Sequence, residues 1–317
     1  MNGERRRWRR RGVLGAAAAA AAGLVVGCGG TRQEAAAPAT NSPGAAGAAF
    51  GGGGASTSPG SPPRPTVTPT PTPPPPAGQL TRVLLEGTPS ETELVVRHSG
   101  IAGPVLLFLG GVHGNEPGGW LAADEVSTWK PAAGSLVVLP RANVQAIAGF
   151  IRTYDEIGDL NRLFPGKEDS SLLMERMAAT IVAVAREFRV EVAVDLHESW
   201  AFYATRSTNG TAFLGQTVSS GVGPRNPGLV AQLVEGVNAG ISRERDLLIA
   251  RDGTAFRRDD QAPNTANRGR SSLSLGGHVP GLTPILVEMG QEDQPVERRV
   301  ELHLAVAERT AQLLGVL

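Results

Sequence analysis

The sequence predicts an α/β fold, a three-layer α/β/α sandwich with a mixed, largely parallel sheet. Three observations carry that expectation. Beyond residue 78, short apolar runs of strand length alternate with longer segments whose apolar residues recur at helical spacing. The runs 105–109 and 135–139 are continuously apolar, which suits strands buried inside a sheet. Finally, His113, His197 and Glu288 fall at or just past the ends of apolar runs, and open α/β sheets build their sites at the carboxyl ends of the strands.

In chain order, 81–85 and 93–98 read as two strands, and 105–109 as the first buried one. His113 and Glu116 lie in the loop after it. Residues 117–129 read as a helix, with Pro117 acceptable in the first turn. Residues 135–139 form the next strand. The segment 171–188 has helical spacing, with Ser170 as a candidate cap. Residues 190–196 read as a strand with His197 at its end, 229–241 as a helix, 284–289 as a strand carrying Glu288, and 296–314 as a closing helix. His303 falls on that last helix and is expected at the surface. No internal repeat occurs.

The first 78 residues read differently. A basic stretch at 5–11 precedes an apolar run at 13–26 that ends in Val-Val-Gly-Cys, with Cys28 the only cysteine of the chain. This is the layout of a secretory signal, too short for a confident membrane span. It resembles a bacterial lipobox, in which the cysteine becomes the lipidated N-terminus; a plain signal peptide containing a cysteine is the alternative. Residues 10–14 also resemble a twin-arginine export signal. Residues 29–78 are rich in Ala, Gly, Thr and Pro, with too little apolar surface to offset ordering entropy, and read as a tether. The expected organisation is thus a signal at 1–28, a tether at 29–78 and one folded domain at 79–317, exported to the bacterial cell envelope and lipid-anchored to a membrane. A sole cysteine excludes a disulfide framework. Zero formal net charge and the lack of a recognition motif exclude a nucleic-acid partner.

Three strings carry the chemistry: GGVHGNEPGG (110–119), VDLHES (194–199) and ILVEMG (285–290). His113, Glu116 and His197 supply two imidazoles and a carboxylate, a three-ligand zinc set with a fourth position open. The glycines around His113 let the backbone turn sharply beside an ion. Glu288 is a separate carboxylate, able to take a proton from water and pass it to a leaving amine. One zinc per chain is expected, although cobalt or manganese could fill the same ligands. Protons would compete for the imidazoles, so affinity should fall in acid. Each residue taken alone also has a plain structural reading: a hydrogen-bonded histidine at a strand end, or a buried ion-pair partner. His278 lacks comparable context and is not expected to be a ligand.

A fourth string, DLNRLFPG (159–166), joins GVHGNEPGG, the N-x-x-A-I stretch from Asn143, D-L-H-E and V-E-M-G. As a set, spanning about 105–290, these resemble the zinc carboxypeptidase superfamily, and most closely its succinylglutamate desuccinylase/aspartoacylase branch. The resemblance implies a zinc-carboxypeptidase-like fold, with zinc on His113, Glu116 and His197 and with Glu288 as general base. It implies that Asn161 and Arg162 hold a substrate carboxylate and that Arg152 stabilises the oxyanion, with Arg141 the alternative. Guanidinium and amide groups suit those tasks. Asp159 is a candidate to fix the tautomer of His113, or else an N-cap. Two departures bear on specificity. The upstream tyrosine of the carboxypeptidases has no counterpart in 251–281, since the two tyrosines are Tyr154 and Tyr203. The sequence also runs only to Leu317, without the C-terminal β-rich domain of aspartoacylase-like enzymes. The polar segments 205–226 and 251–281 are expected to line the pocket instead.

The expected activity is hydrolysis of an amide next to a carboxylate, in a small acyl-amino acid or a peptide. The rival is a non-enzymatic surface lipoprotein using the same fold to bind a ligand or metal.

Overall fold

A computed structural model describes residues 73–205, 213–226, 228–252 and 270–317. The signal, Cys28 and nearly all of the tether lie outside the described residues. Among the described residues eight strands form one sheet: β1 (Gly78–Leu84), β2 (Thr92–His98), β3 (Val105–Gly110), β4 (Ser135–Leu139), β5 (Val192–Ser199), β6 (Thr217–Ser220), β7 (Ile249–Asp252) and β8 (Thr283–Gly290). Their order is β1-β2-β4-β3-β5-β8-β6-β7. The central four, β4, β3, β5 and β8, run parallel, as expected. The pairings of β1 with β2, β2 with β4 and β6 with β8 are antiparallel, which makes the sheet mixed.

Among the described residues six helices flank the sheet: α1 (Pro117–Val126), α2 (Val144–Gly149), α3 (Leu173–Glu187), α4 (Gly228–Asn238), α5 (Leu275–His278) and α6 (Val296–Leu313). Side chains of a strand alternate between faces, and two cores follow from that alternation. Val192, Val194 and Leu196 of β5 join Ala122, Ala123, Leu233, Leu302 and Val306 from α1, α4 and α6. Ala193 of the same strand joins Met174, Met177, Ile181 and Leu275 from α3 and α5 on the opposite face. The result is the three-layer sandwich that the sequence predicts.

Several local expectations change. Helix α1 stops at Val126, not 129, because Ser127 and Thr128 turn their hydroxyls back onto the carbonyls of Asp124 and Glu125. Helix α3 begins at Leu173 with Leu172 as its N-cap; Ser170 instead accepts from the Leu172 amide and donates to Glu175. Segments 205–226 and 251–281, the polar segments expected to line the pocket, contribute β6, the end of β7 and α5, while 206–212 and 253–269 lie outside the described residues. Strand β5 continues to Ser199, so His197 lies inside it. His303 is fully buried, not at the surface. Its neighbours in helical register, Val306, Ala307 and Thr310, are buried too, so it belongs to the inward face of α6.

Candidate metal centre

Strand β3 ends at Gly110, and the chain turns through 111–116 before α1 starts at Pro117. Gly114 is required there. A Cβ on it would stand 2.0 Å from the carbonyl oxygen of Ala146, so the turn is pressed against α2. Asn143 caps α2 by accepting from the Ala146 amide, which places that helix. The turn thus delivers His113 and Glu116, three residues apart, to the carboxyl end of the sheet.

His113, Glu116 and His197 meet there. The Nδ1 atoms of the two histidines stand 3.1 Å apart. Glu116 places Oε1 2.6 Å from Nδ1 of His113 and Oε2 2.8 Å from Nδ1 of His197. Ligand atoms ~2.0–2.1 Å from a tetrahedral zinc stand ~3.3 Å from each other. These three residues can therefore share a single ion, and all three are buried. Among the described residues they are the only such group of three.

The far side of each ring strengthens the fit. Nε2 of His113 lies 3.2 Å from Oδ1 of Asp159, and Nε2 of His197 lies 2.9 Å from Oδ2 of Asp195. A carboxylate on Nε2 calls for the proton there and leaves the Nδ1 lone pair facing the centre. Asp195 was not foreseen. Its signal was available: two residues before His197 on one strand means the same face. Burial works against ionisation of Glu116, yet His113 and His197 outweigh it and hold the carboxyl below the usual range. Burial likewise opposes charge on His197, but Asp195 and Glu116 overcome that and raise its pKa well above the ordinary value.

Glu288 stands beside the cluster. In the parallel β5–β8 ladder its partner is His197, so the two side chains project from the same face of the sheet. Burial, the dominant influence, pushes its carboxyl up to about 7 against the pull of His197 and His113, with Glu116 adding to the rise.

The DLNR segment forms the rim. Asp159 caps a short 3-10 turn, Leu160–Arg162, by accepting from the Asn161 amide, and the same Oδ1 faces Nε2 of His113. Arg152 grips Oδ2 of Asp159 with Nε at 3.2 Å and Nη2 at 3.0 Å, and its Nη1 is 3.8 Å from Oε1 of Glu116. Arg141, the alternative, is committed elsewhere: it pairs with Asp124 and lies over the Trp120 ring. Asn161 is buried, with Oδ1 accepting from the Ser272 amide, so any anion it meets is met by Nδ2. Arg162 donates to the Asn161 carbonyl through Nη1. His278 is not part of the cluster; its carbonyl accepts from Arg186.

Residues 102–206 match the family model for the Succinylglutamate desuccinylase/Aspartoacylase catalytic domain. This region is similar in sequence to that catalytic domain. The matched stretch holds the three clustered residues together with Arg152, Asp159, Asn161 and Arg162, whereas Glu288 lies beyond it. No curated protein matches the chain. Among solved structures, the cell shape determinant protein Csd4 of Helicobacter pylori is similar with a TM-score of 0.60 and 16% identity, over 71% of this chain and 55% of Csd4. Csd4 is described as a D,L-carboxypeptidase. An aspartoacylase family protein of Mesorhizobium loti is similar with a TM-score of 0.54 and 20% identity, over 76% of this chain and 68% of that one. At such identities the likeness is one of fold, and the chain spans about half the length of Csd4. The zinc-carboxypeptidase-like architecture is the expected one.

Proposed function

We propose that the chain is a zinc-dependent hydrolase that cleaves an amide bond next to a carboxylate. The observation that carries this reading is the convergence of the His113 and His197 Nδ1 atoms on the Glu116 carboxylate, with Glu288 on the neighbouring strand. Zinc, when bound there, supplies a Lewis acid that polarises a carbonyl and acidifies water.

The chain's own residues do the rest. Glu288 takes the proton from the attacking water and then returns it to the leaving nitrogen, a role that suits a buried carboxylate on the strand next to His197. Arg152, half exposed and near Glu116, is placed to offset the negative charge that develops on the carbonyl oxygen. Arg162 and the Nδ2 of Asn161 hold the substrate carboxylate and fix which amide is attacked.

The substrate is an N-acyl amino acid or a peptide. Peptides are the expected encounter for an exported enzyme, and Csd4, similar in fold, is described as a D,L-carboxypeptidase. Export and anchoring are part of the proposal: residues 1–28 act as a lipoprotein signal and Cys28 carries the lipid. Hydrolysis of a panel of N-acyl amino acids and short peptides, with and without a chelator, tests the activity. Turnover of at least one member that the chelator abolishes is expected. Partition of the full chain into a detergent phase, lost in Cys28→Ser, tests the anchor.

A further inference from the structure

Directly behind the metal cluster, on the opposite face of β5, lies a second buried carboxylate that the proposed chemistry does not use. Glu198 follows His197, so its side chain projects toward α1 and α6. Its Oε1 accepts from the Gly118 amide at 3.0 Å, one of the orphan N–H groups of the first turn of α1. Its Oε2 accepts from Gln291 Nε2 at 2.9 Å and is paired with Arg299 of α6. The same Gln291 nitrogen lies 2.8 Å from the carbonyl oxygen of Asn115, inside the turn that holds His113 and Glu116. The main chain closes the circle, because the Glu198 amide donates to Oε2 of Glu116 at 3.0 Å.

The packing is specific to this arrangement. A Cβ on Gly118 would come within 2.1 Å of Oε1 of Glu198 and 2.9 Å of the Arg299 Cβ. Gly118 therefore exists to let that carboxylate reach the helix end. Glu198 joins five pieces: β5, the turn at 113–116, the start of α1, the segment after β8, and α6. Four of these, all but α6, carry His113, Glu116 or His197 or lie within three residues of Glu116 or Glu288.

We infer that Glu198, with Arg299 and Gln291, is a positioning residue for the metal ligands, holding the turn and the start of α1 so that both Glu116 oxygens face the two histidines. This deepens the metal-site reading and rests on it. Removing the carboxylate frees the Gly118 and Gln291 donors and leaves Arg299 buried without its anion, so the Glu116 side of the cluster loosens.

The test is zinc affinity, measured by competition with a chromophoric chelator on the full chain. Asp246 supplies the control. It is fully buried and paired with Arg298, the helix neighbour of Arg299, yet it bonds to none of the ligands. Glu198→Ala is expected to weaken zinc binding about 10- to 100-fold, the range for groups that orient metal ligands. Asp246→Ala is expected to lower the melting temperature while leaving zinc affinity within about threefold. If Glu198→Ala does not fold, Glu198→Gln carries the same test with a smaller expected loss of about tenfold. Unchanged affinity in the Glu198 variant, or an equal loss in Asp246→Ala, overturns the inference and leaves the metal site standing. A wild-type chain that takes up no zinc overturns both.

Discussion

His197 and Glu288 share one rung of the ladder between β5 and β8. Neighbouring strands lie about 4.8 Å apart. The rung therefore fixes a carboxylate next to the His197 imidazole, using only the register of two buried strands. That register is set by apolar side chains on the other face, Val194 and Leu196 against Ile285 and Val287.

Glu288→Gln should separate binding from chemistry. The amide keeps the shape but cannot carry the proton. Zinc content should match wild type, while kcat on any substrate found in the panel should fall roughly 100- to 10,000-fold, the range for a lost general base. Loss of zinc together with activity would mean that Glu288 is itself a ligand.

The same residue has a signature in the metal-free protein. Its folded pKa of about 7 is above its ordinary value of 4.5. A raised acid contributes stability that is full below the ordinary value and is lost as pH rises through the folded value. Metal-free Glu288→Gln should therefore be more stable than metal-free wild type at pH 8, by roughly 1–3 kcal/mol, and close to it at pH 4.5. Thermal denaturation of both proteins across that range would reveal the crossover. A difference independent of pH would place Glu288 in water, not in a buried site.

Arg162→Ala should act mainly on binding. A charge-assisted bond to a substrate carboxylate contributes about 1.5–3 kcal/mol, or roughly a 10- to 150-fold rise in KM, with a smaller change in kcat. Replacing the substrate carboxylate by an amide should produce a similar loss in wild type and little further loss in the variant. An unaltered KM would remove Arg162 from substrate recognition.

Asp195→Asn probes the group that the sequence analysis did not single out. The carboxamide can still meet Nε2 of His197 but no longer favours the tautomer with Nδ1 free. Zinc affinity should drop about 10- to 100-fold, as read by chelator competition, with the fold intact by circular dichroism.

How much was legible depended on whether the signal was local. The central strands announced themselves as apolar runs, and His113 and Glu116 sit within four residues of each other beside glycines. His197 and Glu288 could be joined to them because strand ends in such sheets converge. Asp195 and Glu198 were hidden for a different reason: both flank His197 in a strand, and only the alternation of faces assigns one to the cluster and the other to the layer behind it. His303 was placed outside because an isolated polar residue on a helix reads as surface, although its spacing to Val306, Ala307 and Thr310 marks the inward face. Strands β6 and β7 have four residues each and are rich in Ser, Thr, Arg and Asp. Their apolar content is too small to signal a strand; pairing to β8 and to each other, a long-range property, makes them.

The most direct measurement is the metal content of the purified chain and of its His113→Ala and His197→Ala variants, by elemental analysis after dialysis against zinc. The account predicts close to one zinc per wild-type chain and almost none in either variant, all three proteins being folded. Equal metal content in wild type and variants, or none in wild type, would contradict it.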